Sequence, residues 1–248
     1  MPSKNKLPDL SVIIPAYNEE QRIEGAVDSL FTALEGAGID LEAIAVYDTS
    51  SDGTEKALER LAARHHAFSY FHNAYEPGVG TAIATGLDRY RGRTAAIYVA
   101  DAADDPEDLV CLYRKFEEGF DCVFGSRFIE GGSIEDYPQF KLMMNRIINL
   151  FLRLAFGLRT NDVTNGFKLY GRHVIDGIKP IKSKGFDIAL ELPLKAAIRG
   201  YSYVVIPTRW HGQPGKRSNM RSMRVAWEYF ARILECMHYR LTCLMACP

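Results

Sequence analysis

Thr94-Ala95-Ala96-Ile97-Tyr98-Val99-Ala100-Asp101-Ala102-Ala103-Asp104-Asp105-Pro106-Glu107-Asp108 is the stretch whose reading decides the fold. Its first seven residues are β-formers and alanines, which predict a buried strand. Carboxylates end that strand, and Pro106 fits the first turn of a helix. Acids crowded at the carboxyl end of a strand repel one another unless solvent or a cation relieves them. Hard cations such as Mg²⁺ take oxygen ligands, and one or two protein carboxylates suffice when a phosphate supplies the rest. Asp104, Asp105, Glu107 and Asp108 read as a helix start whose acids suit its dipole. Asp101, nearest the strand, reads as a metal and phosphate contact.

The same alternation extends on both sides. Residues 10–15 are an apolar run, and a helix is expected from Ala16-Tyr17-Asn18-Glu19-Glu20 to about Leu34. Residues 41–46 predict a strand, stopped by Asp48-Thr-Ser-Ser-Asp-Gly-Thr54 before a helix to about Arg64. A strand over 68–72, a turn at 77–80 and a helix over 81–90 precede the Asp101 strand. Residues 121–125 predict one more strand after the Pro106 helix. Strands alternating with helices imply parallel βαβ units with right-handed crossovers. Ligands of such sheets bind beyond the carboxyl ends of the strands. Those ends carry Tyr17 and Glu19, Asp48 and Asp52, Asp101, and Ser126 with Arg127. Their convergence predicts an active site. Each cluster also has a local reading: 48–54 as a turn with Thr54 near a helix cap, and Glu19 and Glu20 as acids in a first helical turn. Neither GxxxxGK[ST] nor GxGxxG is present, so adenylate and dinucleotide binding are unsupported.

Composition narrows the function. The 248 residues allow one α/β domain with an appendage, and a net charge of −1 gives no electrostatic case for nucleic acid. Charge is nevertheless segregated. Residues 101–108 hold five acids and no Lys or Arg, while 208–227 hold Arg209, Lys216, Arg217, Arg221 and Arg224 and no acid. Five cysteines with no CxxC pair argue for a reducing compartment, and no histidine has ligand spacing with a cysteine. The polar N-terminus does not read as a signal peptide, and no apolar run reaches the roughly 18 residues of a membrane span. A cytoplasmic protein, peripheral at the membrane's cytoplasmic face, is the expectation.

Ser11-Val-Ile-Ile-Pro-Ala-Tyr-Asn-Glu-Glu20, Asp48-Thr-Ser-Ser-Asp-Gly-Thr54 and Gly125-Ser-Arg127, in this order, resemble the nucleotide-sugar-dependent glycosyltransferases of family 2. Asn161-Asp-Val-Thr-Asn-Gly-Phe-Lys-Leu-Tyr170, with Asn145, is similar to the subgroup that glycosylates dolichyl or polyprenyl phosphate. The resemblance spans residues 10 to about 218. It implies a Rossmann-like GT-A α/β fold with a mainly parallel central sheet and C-terminal amphipathic helices. The implied division is a tail at 1–9, the catalytic domain at 10–212 with an acceptor or interface helix at about 139–157, and a basic loop with an amphipathic helix at 213–248. It further implies that Pro15, Tyr17, Glu19, Val46, Asp48, Ala100 and Asp101 line the nucleotide-sugar pocket. Asp101 is then the ligand of a divalent metal, Mg²⁺ or Mn²⁺, and Arg127 lies near the transferring phosphates. Three departures stand out: Val99 replaces the first acid of the DxD motif, Ala103 replaces a polar residue, and the RxxGxSK-like segment is only loosely kept at 209–218.

The implied reaction moves mannose or glucose from a nucleoside diphosphate sugar to a polyprenyl phosphate, with inversion. Leaving pyrophosphate must be neutralised, which a metal on Asp101 and basic side chains achieve. A hydroxyl acceptor needs a general base; a lipid phosphate arrives ionised and needs cations instead. Arg209, Lys216 and Arg217, with Arg127, suit that task. In residues 142–158, Asn145, Asn149 and Arg153 recur at i, i+4 and i+8 amid apolar residues, as in a helix largely buried or lying in a membrane interface. Phe230, Ile233, Leu234, Met237, Leu241 and Leu244 form a second stripe, for which a membrane face and a homodimer are equal readings. Gly131-Gly132-Ser133 reads equally as a mobile loop able to close over the donor and as a plain surface loop; residues 185–199 read as an amphipathic stretch, with Glu191 as half of a structural ion pair. Three rivals stand beside this reading: a transferase for hydroxyl acceptors with a base near Asp104 or Asp187, a nucleotidyltransferase, and a binding protein without turnover.

Overall fold

Strand β1 (Leu10–Ala16) is buried along its whole length because both of its faces are covered. Leu10, Val12 and Ile14 pack with α1 (Ile23–Gly36), α2 (Thr54–Arg64) and α4 (Pro106–Phe116). Ile13, on the opposite face, packs with α3 (Val79–Leu87), α6 (Arg172–Ile178) and α7 (Ile188–Ile198). The result is a three-layer α/β/α architecture, as the alternation predicts. The structure, a computed structural model, describes residues 7–101, 103–212 and 223–246.

The other strands are β2 (Leu41–Tyr47), β3 (Phe68–His72), β4 (Thr94–Ile97), β5 (Cys122–Ser126), β6 (Ser133–Glu135), β7 (Lys168–Gly171), β8 (Tyr203–Pro207) and β9 (Arg209–His211). Seven form one sheet in the order β3-β2-β1-β4-β7-β5-β8. Its pairings are parallel except at β7, which runs antiparallel to both neighbours, with Ala95 opposite Tyr170 and Val123 opposite Leu169. β6 and β9 form a separate parallel pair. The remaining helices are α5 (Gln139–Phe156) and α8 (Met223–Ala246).

Four local expectations are corrected. Helix α1 starts at Ile23 instead of Ala16, because Asn18 takes a φ of 55° and its side chain is engaged elsewhere. β4 stops at Ile97: Tyr98 keeps one bond to β1, its N–H donating to the Ile13 carbonyl at 3.0 Å, the chain turns at 100–101, and the Tyr98 hydroxyl donates to the Asp104 carbonyl at 3.2 Å. Gly131 and Gly132 lead directly into β6, so Ser133 belongs to a strand. Helix α7 is buried on most sides instead of amphipathic: Ile188, Leu192 and Ala196 face the sheet, while Leu190 and Leu194 face a second small core.

That second core joins Leu152 and Phe156 of α5, Leu190 and Leu194 of α7, and Ile233 and Cys236 of α8. Helix α5 is built inside out. Asn149 is 1% exposed; its Nδ2 donates to Thr164 Oγ1 at 3.0 Å, and its Oδ1 accepts from the Thr164 backbone N–H at 3.2 Å. Asn145 donates to the same hydroxyl at 2.9 Å. Phe140, Met143, Ile147, Leu150 and Leu154 are exposed instead, Leu154 by 74%. The helix ends at Gly157 in the left-handed region, φ 68°, which favours glycine. Trp227, Phe230, Leu234, Met237 and Leu241 are likewise exposed on one stripe of α8. Among the described residues no helix is long and apolar enough to cross a membrane.

Candidate active site

The loops after β1 and β2 are knitted together. Asn18 Oδ1 accepts from the Ser51 backbone N–H at 2.8 Å, and the Asn18 N–H donates to Ser50 Oγ at 3.2 Å. Glu20 N–H donates to Asp52 at 3.2 Å, and Gly53 N–H returns a bond to Glu20 at 3.0 Å. Asp52 also accepts from Thr54 N–H at 3.0 Å, an Asx-type turn at a helix start. Burial would raise the Asp52 pKa, but these bonds outweigh it and hold it below the usual value. Asp48 is a different case. It is 8% exposed; Oδ1 accepts from Asn73 Nδ2 at 2.8 Å and Oδ2 from Gly78 N–H at 3.0 Å. Tyr17 stands beside these loops with more than half its surface exposed, and Glu19 is buried under them.

Beyond β4, Asp101 is half-buried and its Oδ1 accepts from Ala103 N–H at 3.2 Å. Asp104 is buried, and its Oδ1 has no hydrogen-bond partner. Burial first, then the charge of Asp101, pushes its pKa up to about 7 against the pull of Arg127. Asp104 lines a 250 Å³ pocket with Tyr98, Asp105 and His211.

Arg127, after β5, is buried and paired: Nε and Nη2 each donate to Asp162 at 2.8 Å. The segment carrying Asp162 is fixed to the same edge, with Ser126 Oγ donating to Asn161 Oδ1 at 2.7 Å and Asn165 donating to the Gly125 carbonyl at 3.1 Å. Lys168, also buried, donates to the Val163 carbonyl at 2.9 Å, and burial lowers its pKa to about 7. Arg209 lies against the first turn of α4, 2.8 Å from Asp108 and 3.0 Å from Asp105.

The chain matches the family described as Glycosyl transferase family 2 over residues 11–178. It belongs to that family. It is 30% identical over 202 residues to the polyprenol monophosphomannose synthase of Mycolicibacterium smegmatis, covering 79% of this chain and 75% of that one. It is 25% identical over 232 residues to the dolichol-phosphate mannosyltransferase of Pyrococcus furiosus, covering 93% of this chain and 64% of the other. The fold is like that of glucosyl-3-phosphoglycerate synthase from Mycobacterium tuberculosis, solved with Mn²⁺, uridine diphosphate and phosphoglyceric acid. That likeness has a TM-score of 0.71 at 17% identity and covers 93% of this chain and 78% of that one. The chain is thus a nucleotide-sugar-dependent glycosyltransferase with the expected GT-A fold.

In this family-2 transferase Tyr17, Glu19, Asp48 and Asp101 stand at the carboxyl edge of the sheet as the alternation predicts. Pro15 lies within β1 and is buried. Val46 and Ala100 are fully buried, in the cores on opposite faces of the sheet. Arg127 and Arg209 stand at this edge already paired with aspartates, Arg127 buried and Arg209 partly exposed. The acids open α4 as expected, and Asp105 in addition caps it, accepting from Glu107 N–H at 2.9 Å, while Asp108 also neutralises Arg209. Lys216 and Arg217 lie outside the described residues. Asp187, a rival base, is buried and bonded to Arg232 at 2.9 Å. Glu191 pairs with Lys195 at 2.5 Å, the expected structural role. Asn73, Gly78, Asp162 and Lys168 carry interactions that sequence reasoning missed. Only Asp162 and Lys168 had a signal, inside the quoted 161–170 motif.

Proposed function

We propose that this glycosyltransferase moves a hexose, mannose or glucose, from a nucleoside diphosphate sugar to a polyprenyl phosphate held at a membrane surface. The observation that carries the reading is the outward apolar stripe of α5. Exposing so much apolar surface to water is unfavourable, and a lipid surface removes that penalty. The relatives named for polyprenol and dolichol phosphates support a lipid acceptor. Peripheral attachment at the cytoplasmic face, through α5 and the α8 stripe, goes with this reading; a homodimer covering α8 is the competing outcome.

In this reading Asp48 accepts hydrogen bonds from the nucleobase, and Tyr17 and Glu19 flank the nucleoside. Asp101 is the proposed metal ligand, with Asp104 as its second carboxylate in place of the absent acid at Val99. The buried, unbonded Oδ1 of Asp104 beside the Asp101 charge fits a divalent cation. When bound, Mg²⁺ or Mn²⁺ would offset the charge that builds on the departing diphosphate. A phosphate oxygen of the lipid attacks the anomeric carbon, the bond from that carbon to the diphosphate oxygen breaks, and the centre inverts. No base is required, because the acceptor is already ionised. Arg127, fixed by Asp162, shapes the edge where the two phosphates meet, and Arg209, Lys216 and Arg217 are the proposed cations for the acceptor.

The purified chain, given GDP-mannose or UDP-glucose with a short polyprenyl phosphate and Mn²⁺, should yield a lipid-phosphate hexose detectable by mass. Asp101→Ala should lower its rate by about 100-fold or more, the scale of one lost electrostatic contact at a transition state. Donor hydrolysis alone, or unchanged turnover in that variant, defeats the reading. Transfer to a hydroxyl has one observation in its favour: Asp104 is poised near neutral pH as a base would be. Product from an alcohol but not from the lipid phosphate would select it.

A further inference from the structure

Asp48 is buried yet paired with no cation among the described residues; its hydrogen bonds come from two neutral donors, the Asn73 amide and the Gly78 backbone. A carboxylate withdrawn from water and left with neutral donors retains acceptor capacity, since each oxygen has a second lone pair. Asn73 is itself locked. Its Oδ1 accepts from the Thr85 hydroxyl at 2.9 Å and from Tyr75 N–H at 3.2 Å. Its Nδ2 faces Asp48, Thr81 Oγ1 at 3.1 Å and the Glu76 carbonyl at 3.3 Å. The two ends of the amide are therefore not interchangeable: a flip would aim the carbonyl at a carboxylate and the amine at a donor. Thr85 is fully buried and Asn73 is 5% exposed, so the arrangement is rigid. The Gly78 side is equally fixed, for a Cβ there would lie 2.3 Å from the Lys184 carbonyl oxygen. The acceptor is thus aimed from both sides by groups that cannot turn.

We infer that Asn73 is a positioning residue for the nucleobase: through its Nδ2 it orients Asp48 to accept the ring N–H of uracil or guanine and to reject cytosine and adenine. The inference rests on the nucleotide-sugar reading above. Uracil and guanine present a ring N–H on the edge that pairs with another base, whereas cytosine and adenine present a lone pair there. A fixed carboxylate is repelled by that lone pair, and a site built around a hydrogen bond discriminates far better than an apolar one.

The test measures binding of uridine, cytidine, guanosine and adenosine diphosphates and of pyrophosphate, each with Mn²⁺, to the full chain and to two variants. Asn73→Ala removes the donor; Asn73→Asp keeps the shape and places an acceptor against Asp48. The better of the uridine and guanosine ligands should weaken about 10-fold in Asn73→Ala and further in Asn73→Asp, as for a lost hydrogen bond to a charged group. Its preference over cytidine or adenosine diphosphate should shrink, while pyrophosphate binding stays unchanged. Loss of all ligands in proportion, or an unchanged base preference in a folded variant, overturns the inference. If Asn73→Ala does not fold, Thr85→Ser (keeping the hydroxyl) must retain the wild-type preference and Thr85→Val must lose it; equal preference in both also overturns it. Should the unmodified chain bind nucleoside diphosphates no better than pyrophosphate, the nucleotide-sugar reading itself fails, and that outcome is visible before any variant is made.

Discussion

Helices α5 and α7 have similar apolar content and opposite surroundings. Helix α7 sits between two cores, so nearly every side chain from Ile188 to Ala196 is buried, and its two charged residues face each other as Glu191 and Lys195. Helix α5 touches one core only, buries Asn149 against Thr164 and turns leucines and phenylalanines outward. What a helix shows to solvent is therefore set by where its polar residues find partners. Apolar content alone does not predict it.

Substitutions on the two helices should separate those environments. The largest effect is expected for Glu191→Gln, which leaves Lys195 and Arg232 short of a compensating charge in the interior; breaking a buried pair costs about 3–5 kcal/mol, measurable by urea unfolding. Burial would raise the Glu191 pKa, but hydrogen bonds from Lys195 and Ser183 and the Lys195 charge bring it below 4.5. Stability from this group is thus complete above the unfolded value near 4.5 and is lost as pH falls through the lower folded value. The variant should lack that part of the acid-side decline. Leu194→Ala empties fully buried space and should cost about 2–5 kcal/mol, towards the low end if α8 settles inward. On α5, Asn149→Ala strands the Thr164 backbone N–H and should cost about 1–3 kcal/mol in the same assay. Leu154→Glu, at an exposed site, should change stability by less than about 0.5 kcal/mol. It should nevertheless reduce co-sedimentation with anionic vesicles. A Leu154→Glu protein that sediments like the parent would break the contrast, and the parent's own sedimentation should weaken as salt is added.

The strand–helix alternation, the edge positions of Tyr17, Glu19, Asp48 and Asp101, and the acid-rich start of α4 were legible because each depends on local pattern. The fates of Arg127 and Arg209 were not. Their acid partners lie 35 and about 100 residues away in sequence, and only the folded sheet brings Asp162 and Asp108 to them. The segregated charges of 101–108 and 208–227 looked like open electrostatic surfaces, yet part of each neutralises the other. Asn73 escaped notice for a similar reason: a lone asparagine after a strand reads as a turn residue, and its value lies in a carboxylate 25 positions earlier. The polar spacing of Asn145, Asn149 and Arg153 on α5 was legible as a stripe, of which the two asparagines turn to Thr164 while Arg153 is exposed. Which side of the helix it would face was not, because Thr164 comes after the helix ends.

Strand β7 has a consequence for how the chain can be assembled and rearranged. It arrives after α5, runs against its neighbours and fills the gap between β4 and β5. A nascent chain that has emerged only as far as β5 therefore holds two raw strand edges side by side, each open to pairing with another molecule. Exchanging the whole segment between β5 and β8 for that of another protein would therefore swap a middle plank of the sheet along with α5.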